Sequence, residues 1–155
     1  MHDNEGLVRS LYAALGRRDG EAMAACYASG ASFSDPVFPA LAGPEVGDMW
    51  RMLCARATGI RVEVVNIVAD EASGRADWQA WYPFSGTGRA VHNVIHAEYR
   101  FRDGRILTHV DDFDLWRWSR QALGLPGVLL GWSTLLRRKV RAQAAGSLER
   151  FRATR

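Results

Sequence analysis

The chain has 155 residues, of which 48% are hydrophobic and 10% aromatic, with six Trp and a formal net charge of +3. This is enough for a single domain spanning 1–155 that buries roughly two-thirds of the surface its unfolded form exposes, and it excludes disorder for most of the length. The charge is uneven: residues 135–155 carry seven Arg or Lys against Glu149 alone, and the rest of the chain carries thirteen against sixteen.

Leu7, Val8, Leu11, Tyr12 and Leu15 recur at helical spacing, so a first amphipathic helix is predicted over 4–17, capped by Asp3 or Asn4. A short second helix is predicted over Glu21 to Ala28, stopped by Ser29-Gly30. Ala31 to Ser34 reads as a brief strand ending at Asp35-Pro36, since proline withholds a ladder donor and biases Asp35 toward an extended backbone. Gly43-Pro44-Glu45 opens a third helix that carries Val46, Met49, Trp50, Leu53 and Ala57 and ends near Thr58-Gly59.

From Ile60 the period changes to two, giving a long strand through Asp70. Arg75–Phe84, Val91–Arg102 and Arg105–Trp116 follow as three more, separated by Ser73-Gly74, the SGTG turn at 85–88 and Asp103-Gly104. A terminal amphipathic helix is predicted over 126–151, with Val128, Leu129, Trp132, Leu135, Leu136, Val140, Ala144, Leu148 and Phe151 as its apolar stripe. The order predicts an α+β fold, an antiparallel meander with helices packed on one face.

Several function classes recede on composition. The first ten residues have no apolar core of a secretory signal, so a cytoplasmic location is expected. The uncharged run Gln121 to Leu136 is shorter than the ~20 apolar residues a membrane span needs. Cys26 and Cys54 lack CxxC or CxxH company and read as small buried hydrophobes. The basic terminal helix is read as a solvated face. Contact with nucleic acid or an anionic membrane through it is a competing class, weakened by the absence of an interleaved aromatic platform.

Strand alternation puts His109, Asp111 and Phe113 on one face, where a carboxylate two residues from an imidazole can tune it for proton transfer. The alternative is a core histidine bonded to a backbone carbonyl beside a carboxylate that bridges to a helix. Asp35 is likewise either a functional carboxyl or a turn-former accepting backbone donors. Trp50, Trp78 and Tyr82 are candidate pocket walls, and Asn93, by its parity, faces the pocket as well. His92, His96 and Glu98 share the opposite face. His92 and His96 lie ~13 Å apart on a strand, too far for a joint metal site, and are expected near a contact with a second copy. Trp116 and Trp118 are expected to pack the terminal helix.

Residues at the joints carry a resemblance: LYAALGRRD at the first helix end, the ASFSDP strand, the YRFRDGRI hairpin and the HVDDFDLWRWSRQALG exit. Over about residues 4–120 the chain resembles the nuclear-transport-factor-2-like superfamily, which includes ketosteroid isomerase, limonene epoxide hydrolase and the SnoaL-like polyketide cyclases. The resemblance implies a cone-shaped curved sheet wrapped by helices around a pocket for a small apolar ligand. It also implies a homodimer through the outer sheet face, with no cofactor or metal. Against ketosteroid isomerase, Asp35 matches the base. Leu11 stands where the oxyanion-hole Tyr would, with Tyr12 one helical step away, and Ala97 falls near the hole's Asp. Against limonene epoxide hydrolase, Asp111 matches the second Asp, while the Arg and first Asp fall on Ala80 and Tyr82. Similarity to the SnoaL-like cyclases implies Asp111 as acid or base.

The leading expectation is acid–base chemistry (isomerase, cyclase or hydrolase) by Asp111 with His109, or by Asp35, on a small hydrophobic substrate held by Tyr12, Trp50, Trp78, Tyr82, Asn93 and Phe113. The alternative is a noncatalytic ligand-binding or dimerisation module on the same fold.

Overall fold

The computed structural model describes residues 2–130 and 133–155. Helix α1 (Asp3–Gly16) buries Val8, Leu11, Tyr12, Ala14 and Leu15. Its cap is His2, whose side chain accepts from the Asn4 amide, and the expected cap Asn4 instead donates its Nδ2 to the Asp70 carbonyl at 3.0 Å. This ties the start of α1 to the sheet.

Helix α2 (Gly20–Ala24) is capped by Asp19, which accepts from the Ala22 amide. It ends earlier than predicted because Tyr27–Ser34 forms strand β1. The helical spacing of Met23, Cys26 and Tyr27 cannot register a parallel partner far along the chain, here at Ile106. Ser29-Gly30, expected to stop a helix, falls within a register shift of the strand between Tyr27 and Ser32. Strand β2 (Leu41–Ala42), not anticipated, pairs with β1 at the sheet edge. Helix α3 (Pro44–Arg56) opens as predicted, with proline in its first turn and Gly43 preceding it at φ +60°.

Strands β3 (Arg61–Ala69), β4 (Ser73–Pro83), β5 (Ala90–Arg102) and β6 (Arg105–Asp112) complete a six-stranded sheet in the order β2-β1-β6-β5-β4-β3. All neighbours are antiparallel except β1 and β6, which run parallel in the register Phe33 to His109 and Ser34 to Val110. The pairing register shifts in β3 after Val65, beside the left-handed Asn66, and between β5 and β6 at Arg100. Such shifts bend strands and increase their twist, which lets the sheet curve around its inner face. The inner face and the helices enclose a core in which Val8, Leu11, Met23, Phe33, Ile95 and Ile106 are fully buried.

The last strand stops at Asp112 instead of continuing to Trp116. Asp114 accepts from the Arg117 amide and so caps helix α4 (Leu115–Leu123). The terminal helix is likewise divided into α5 (Leu125–Leu130) and α6 (Thr134–Ala153), with Gly124 left-handed before α5 and Ser133 capping α6. Trp132, placed on the predicted stripe, lies outside the described residues. Along the rest of the stripe Val140 and Leu148 are buried, while Val128, Leu129 and Leu135 are exposed. The split leaves Val128 and Leu129 on α5, outside the core, while α6 buries Val140 and Leu148 and leaves Leu135, in its first turn, exposed. Arg152 and Arg155 meet Asp48 of α3 at 2.9 and 3.2 Å, and Arg141 donates to the Pro36 carbonyl at 2.9 Å. No described helix is long and apolar enough to cross a membrane.

Candidate functional site

The inner face of the sheet and the helices bound a cavity of about 530 Å3. Helix α3 supplies Met49 and Trp50, β4 supplies Trp78 and Tyr82, and α6 closes the opposite side with Val140 and Ala144. Large rings with few polar atoms suit an apolar ligand. Among the polar side chains in this wall are two carboxyls, Asp35 and Asp111.

The parallel pairing of β1 with β6 brings these two together. Ser34 pairs with Val110, so the next residues, Asp35 and Asp111, leave the paired segment side by side on strands ~5 Å apart. Asp35 forms a turn with its own loop: Oδ1 accepts from the amides of Val37 and Phe38 at 2.7 and 2.5 Å, and its amide donates to the Phe38 carbonyl. The turn-forming expectation for Asp35 therefore holds, and the same residue also lines the cavity. Burial is the main effect on its carboxyl, opposed by the two backbone donors and reinforced by the nearby Asp111, and together they push it up to about 7.

Asp111 is held from behind. Its Oδ1 accepts from His109 Nε2 at 2.8 Å and from Trp78 Nε1 at 3.2 Å. His109, fully buried, bonds through Nδ1 to the Tyr27 hydroxyl at 2.8 Å, and that hydroxyl accepts from Trp50 Nε1, also at 2.8 Å. Donor and acceptor roles follow from the chemistry. Indole N–H only donates, so Tyr27 accepts from Trp50. Burial pushes the Tyr27 phenol well above its ordinary value, so it keeps its proton. His109 bridges this hydroxyl to Asp111 through its two ring nitrogens. The chain Trp50, Tyr27, His109, Asp111 fixes one carboxylate oxygen, and Oδ2 makes no hydrogen bond among the described residues.

The sequence-predicted residues therefore divide. Asp35, Asp111, Trp50, Trp78, Tyr82, Asn93 and Phe113 line one cavity. His109 does not line it. It sits behind Asp111 with both nitrogens engaged, and its partners are side chains, not a backbone carbonyl. Tyr12 also falls outside the wall. It packs on Trp78 with ring centroids 4.8 Å apart and shares a short hydroxyl–hydroxyl bond with Tyr99, because the side of α1 that carries Leu11 and Tyr12 is pressed into the core. Trp118, expected only as packing, also lines the cavity and donates to the Tyr82 hydroxyl at 2.9 Å. Trp116 is exposed, with the Arg120 guanidinium 4.1 Å above its ring. Tyr27 is not legible as a site residue in the sequence, because its spacing from Met23 reads as helix while it starts β1.

On the outer sheet face His96 bonds to Asp77, and His92 stacks on Trp81 while bonding to Gln79 at 2.6 Å. Among the described residues no group of three His, Cys, Asp or Glu is placed to hold a metal ion. A second depression of about 540 Å3, lined by Asp70, Arg75, Glu98 and Arg100, includes neither Asp35 nor Asp111.

Comparison with known proteins agrees with this architecture. A family model described as the SnoaL-like domain matches residues 8–109. No curated protein matches. Among solved structures, a LEH-like epoxide hydrolase from M. tuberculosis is similar at 20% identity and TM-score 0.64, covering 86% of this chain and 95% of that one. A protein from Xanthomonas campestris assigned as a polyketide cyclase is similar at 21% identity and TM-score 0.62, covering 77% and 96%. A protein from Catenulispora acidiphila with a ketosteroid-isomerase-like fold, in complex with trimethylamine, is similar at 16% identity and TM-score 0.68, covering 79% and 95%. At these identities the likeness is one of fold.

Proposed function

The chain belongs to the SnoaL-like domain family, and we propose that it is an enzyme performing acid–base chemistry, as an isomerase, cyclase or hydrolase, on a small hydrophobic substrate. The observation that carries this reading is the meeting of Asp35 and Asp111 on one aromatic cavity. A carboxyl pushed up to about 7 is part protonated at neutral pH and can either give or take a proton there, which is the condition that favours general acid–base catalysis. Asp111, with one oxygen fixed by His109 and Trp78, would present its other oxygen to the substrate. Trp50, Trp78, Tyr82 and Phe113 would hold the apolar body of the substrate, and Asn93 would orient a polar atom through its amide. A homodimer through the outer sheet face is part of this reading. Exposed Val65, Val94 and Val110 on that face support it, and sedimentation velocity tests it.

The catalytic claim is tested by incubating the protein with a panel of apolar ketones, enones and epoxides. Proton exchange next to the carbonyl in deuterium oxide, and epoxide opening, are followed by NMR. Turnover by the wild type that falls ~100-fold or more in both Asp35→Asn and Asp111→Asn is expected, since positioned proton transfer typically contributes ~100- to 10,000-fold. Ligands that bind in calorimetry yet are never turned over would establish the noncatalytic binding module instead.

A further inference from the structure

Between Asp114 and Glu149 the chain holds no carboxylate side chain, whereas it holds Arg117, Arg120, Arg137, Arg138, Lys139 and Arg141. The structure shows what the sequence hides: this same stretch carries much of the exposed large apolar surface of the protein. Leu125 is 68% exposed, Leu129 59% and Leu135 78%, with Val128 and Trp116 also on the surface. Leu125, Val128 and Leu129 stand at i, i+3 and i+4 of α5 and share one face. Leu135 is the second residue of α6, with Arg138 and Lys139 three and four residues on, along the same side. Arg137, Arg138 and Lys139 are all exposed, and none forms an ion pair among the described residues. The far end of α6 differs. There Arg152 and Arg155 are spent on Asp48, so the solvated-face reading does not describe the helix as a whole.

We propose that the α5 tip and the first turns of α6 form a docking surface for an anionic lipid bilayer, with the apolar residues entering the interface and Arg137, Arg138 and Lys139 meeting the headgroups. Charge complementarity selects this occupant. A second copy seated face to face would set six cations against six with no carboxylate from this stretch to offset them. A nucleic acid would match the charge but offers Leu and Val nothing to enter, because single strands stack on aromatic rings and duplexes are met by polar contacts to phosphate. An anionic bilayer matches both, with acyl chains for the leucines and negative headgroups for the cations. Helices α4 and α6, which flank the tip, also supply Trp118, Leu123 and Val140 to the cavity wall, so docking places the cavity close to the lipid surface. The inference stands whether or not the cavity is catalytic.

Flotation of the full-length protein with vesicles tests it, comparing phosphatidylcholine alone with phosphatidylcholine containing 30% phosphatidylserine. Roughly 100-fold tighter binding to the anionic vesicles is expected from three cations at a charged surface. That binding should weaken ~10-fold or more in a Leu125→Ser, Val128→Ser, Leu135→Ser variant and again in an Arg137→Gln, Arg138→Gln, Lys139→Gln variant. These side chains are exposed, and an unchanged circular dichroism melt confirms that each variant folds. Three results would overturn the proposal: no flotation with anionic vesicles at low salt, flotation untouched by the serine variant, or a self-association that the serine variant abolishes. Retention on duplex DNA without vesicle binding would overturn it as well.

Discussion

The position of Asp35 has a consequence for stability that can be worked through. Its carboxyl is pushed from an ordinary 3.8 up to about 7, chiefly by burial. Between about pH 4 and 7 the folded chain keeps a proton on Asp35 that the unfolded chain releases. The contribution of this group therefore favours the fold at low pH and is lost as pH rises through that window. At ~1.36 kcal/mol per pH unit the full effect is about 4 kcal/mol, and nearer 2 kcal/mol if water reaches part of the side chain. Asp35→Asn removes the titration but keeps an oxygen able to accept from Val37 and Phe38. Chemical denaturation at pH 4, 6 and 8 should show the variant ~2–4 kcal/mol more stable than wild type at pH 8, with the difference shrinking toward zero at pH 4. A difference that stays constant across this range would refute the reasoning, because it would mean that Asp35 titrates alike in the folded and unfolded chains.

Other expectations follow from single contacts. His109→Leu takes one of two partners from the Tyr27 hydroxyl and from the buried Asp111 side chain. A loss of about 3 kcal/mol or more in denaturation is expected, and a loss under about 1 kcal/mol would contradict the hydrogen-bond chain. Asp48, which meets Arg51, Arg152 and Arg155 within 3.2 Å, clamps α6. In Asp48→Ala, hydrogen exchange should quicken in the last turns of α6 and leave β5 unchanged, whereas unaltered protection of α6 would show that apolar packing alone holds it. A Cβ on Gly20 would lie 2.7 Å from the Arg51 Cα, and one on Gly30 would meet nothing within 4 Å. Gly20→Ala should therefore cost about 1–3 kcal/mol and Gly30→Ala much less by thermal melting, an order that equal melting temperatures would contradict.

The long strands were legible because their alternation is local. Arg75–Phe84 and Val91–Arg102 were placed within two residues of where β4 and β5 lie. What stayed hidden was non-local. Tyr27 lies at helical spacing from Met23, yet its environment is a parallel pairing with Ile106 about eighty residues away. That pairing is also what sets Asp35 beside Asp111, so sequence reasoning found both carboxyls but offered them as separate candidates. The Asp114 cap was missed for a different reason: Trp116 prolongs the alternation of β6, and only the bond from the Arg117 amide shows that a helix has begun. The helical step beside Leu11 predicts Tyr12 at the pocket, whereas tertiary packing against Trp78 and Tyr99 turns it inward.

The central claim is that Asp35 and Asp111 form one coupled proton-handling pair on a single cavity. The most direct test is a carbon-13 NMR titration of the Asp35 carboxyl in the wild type and in Asp111→Asn. A midpoint near 7 that falls when the Asp111 charge is removed is the expected result. A midpoint near the ordinary aspartate value, or one indifferent to Asp111, would contradict the pairing and with it the acid–base reading of the cavity.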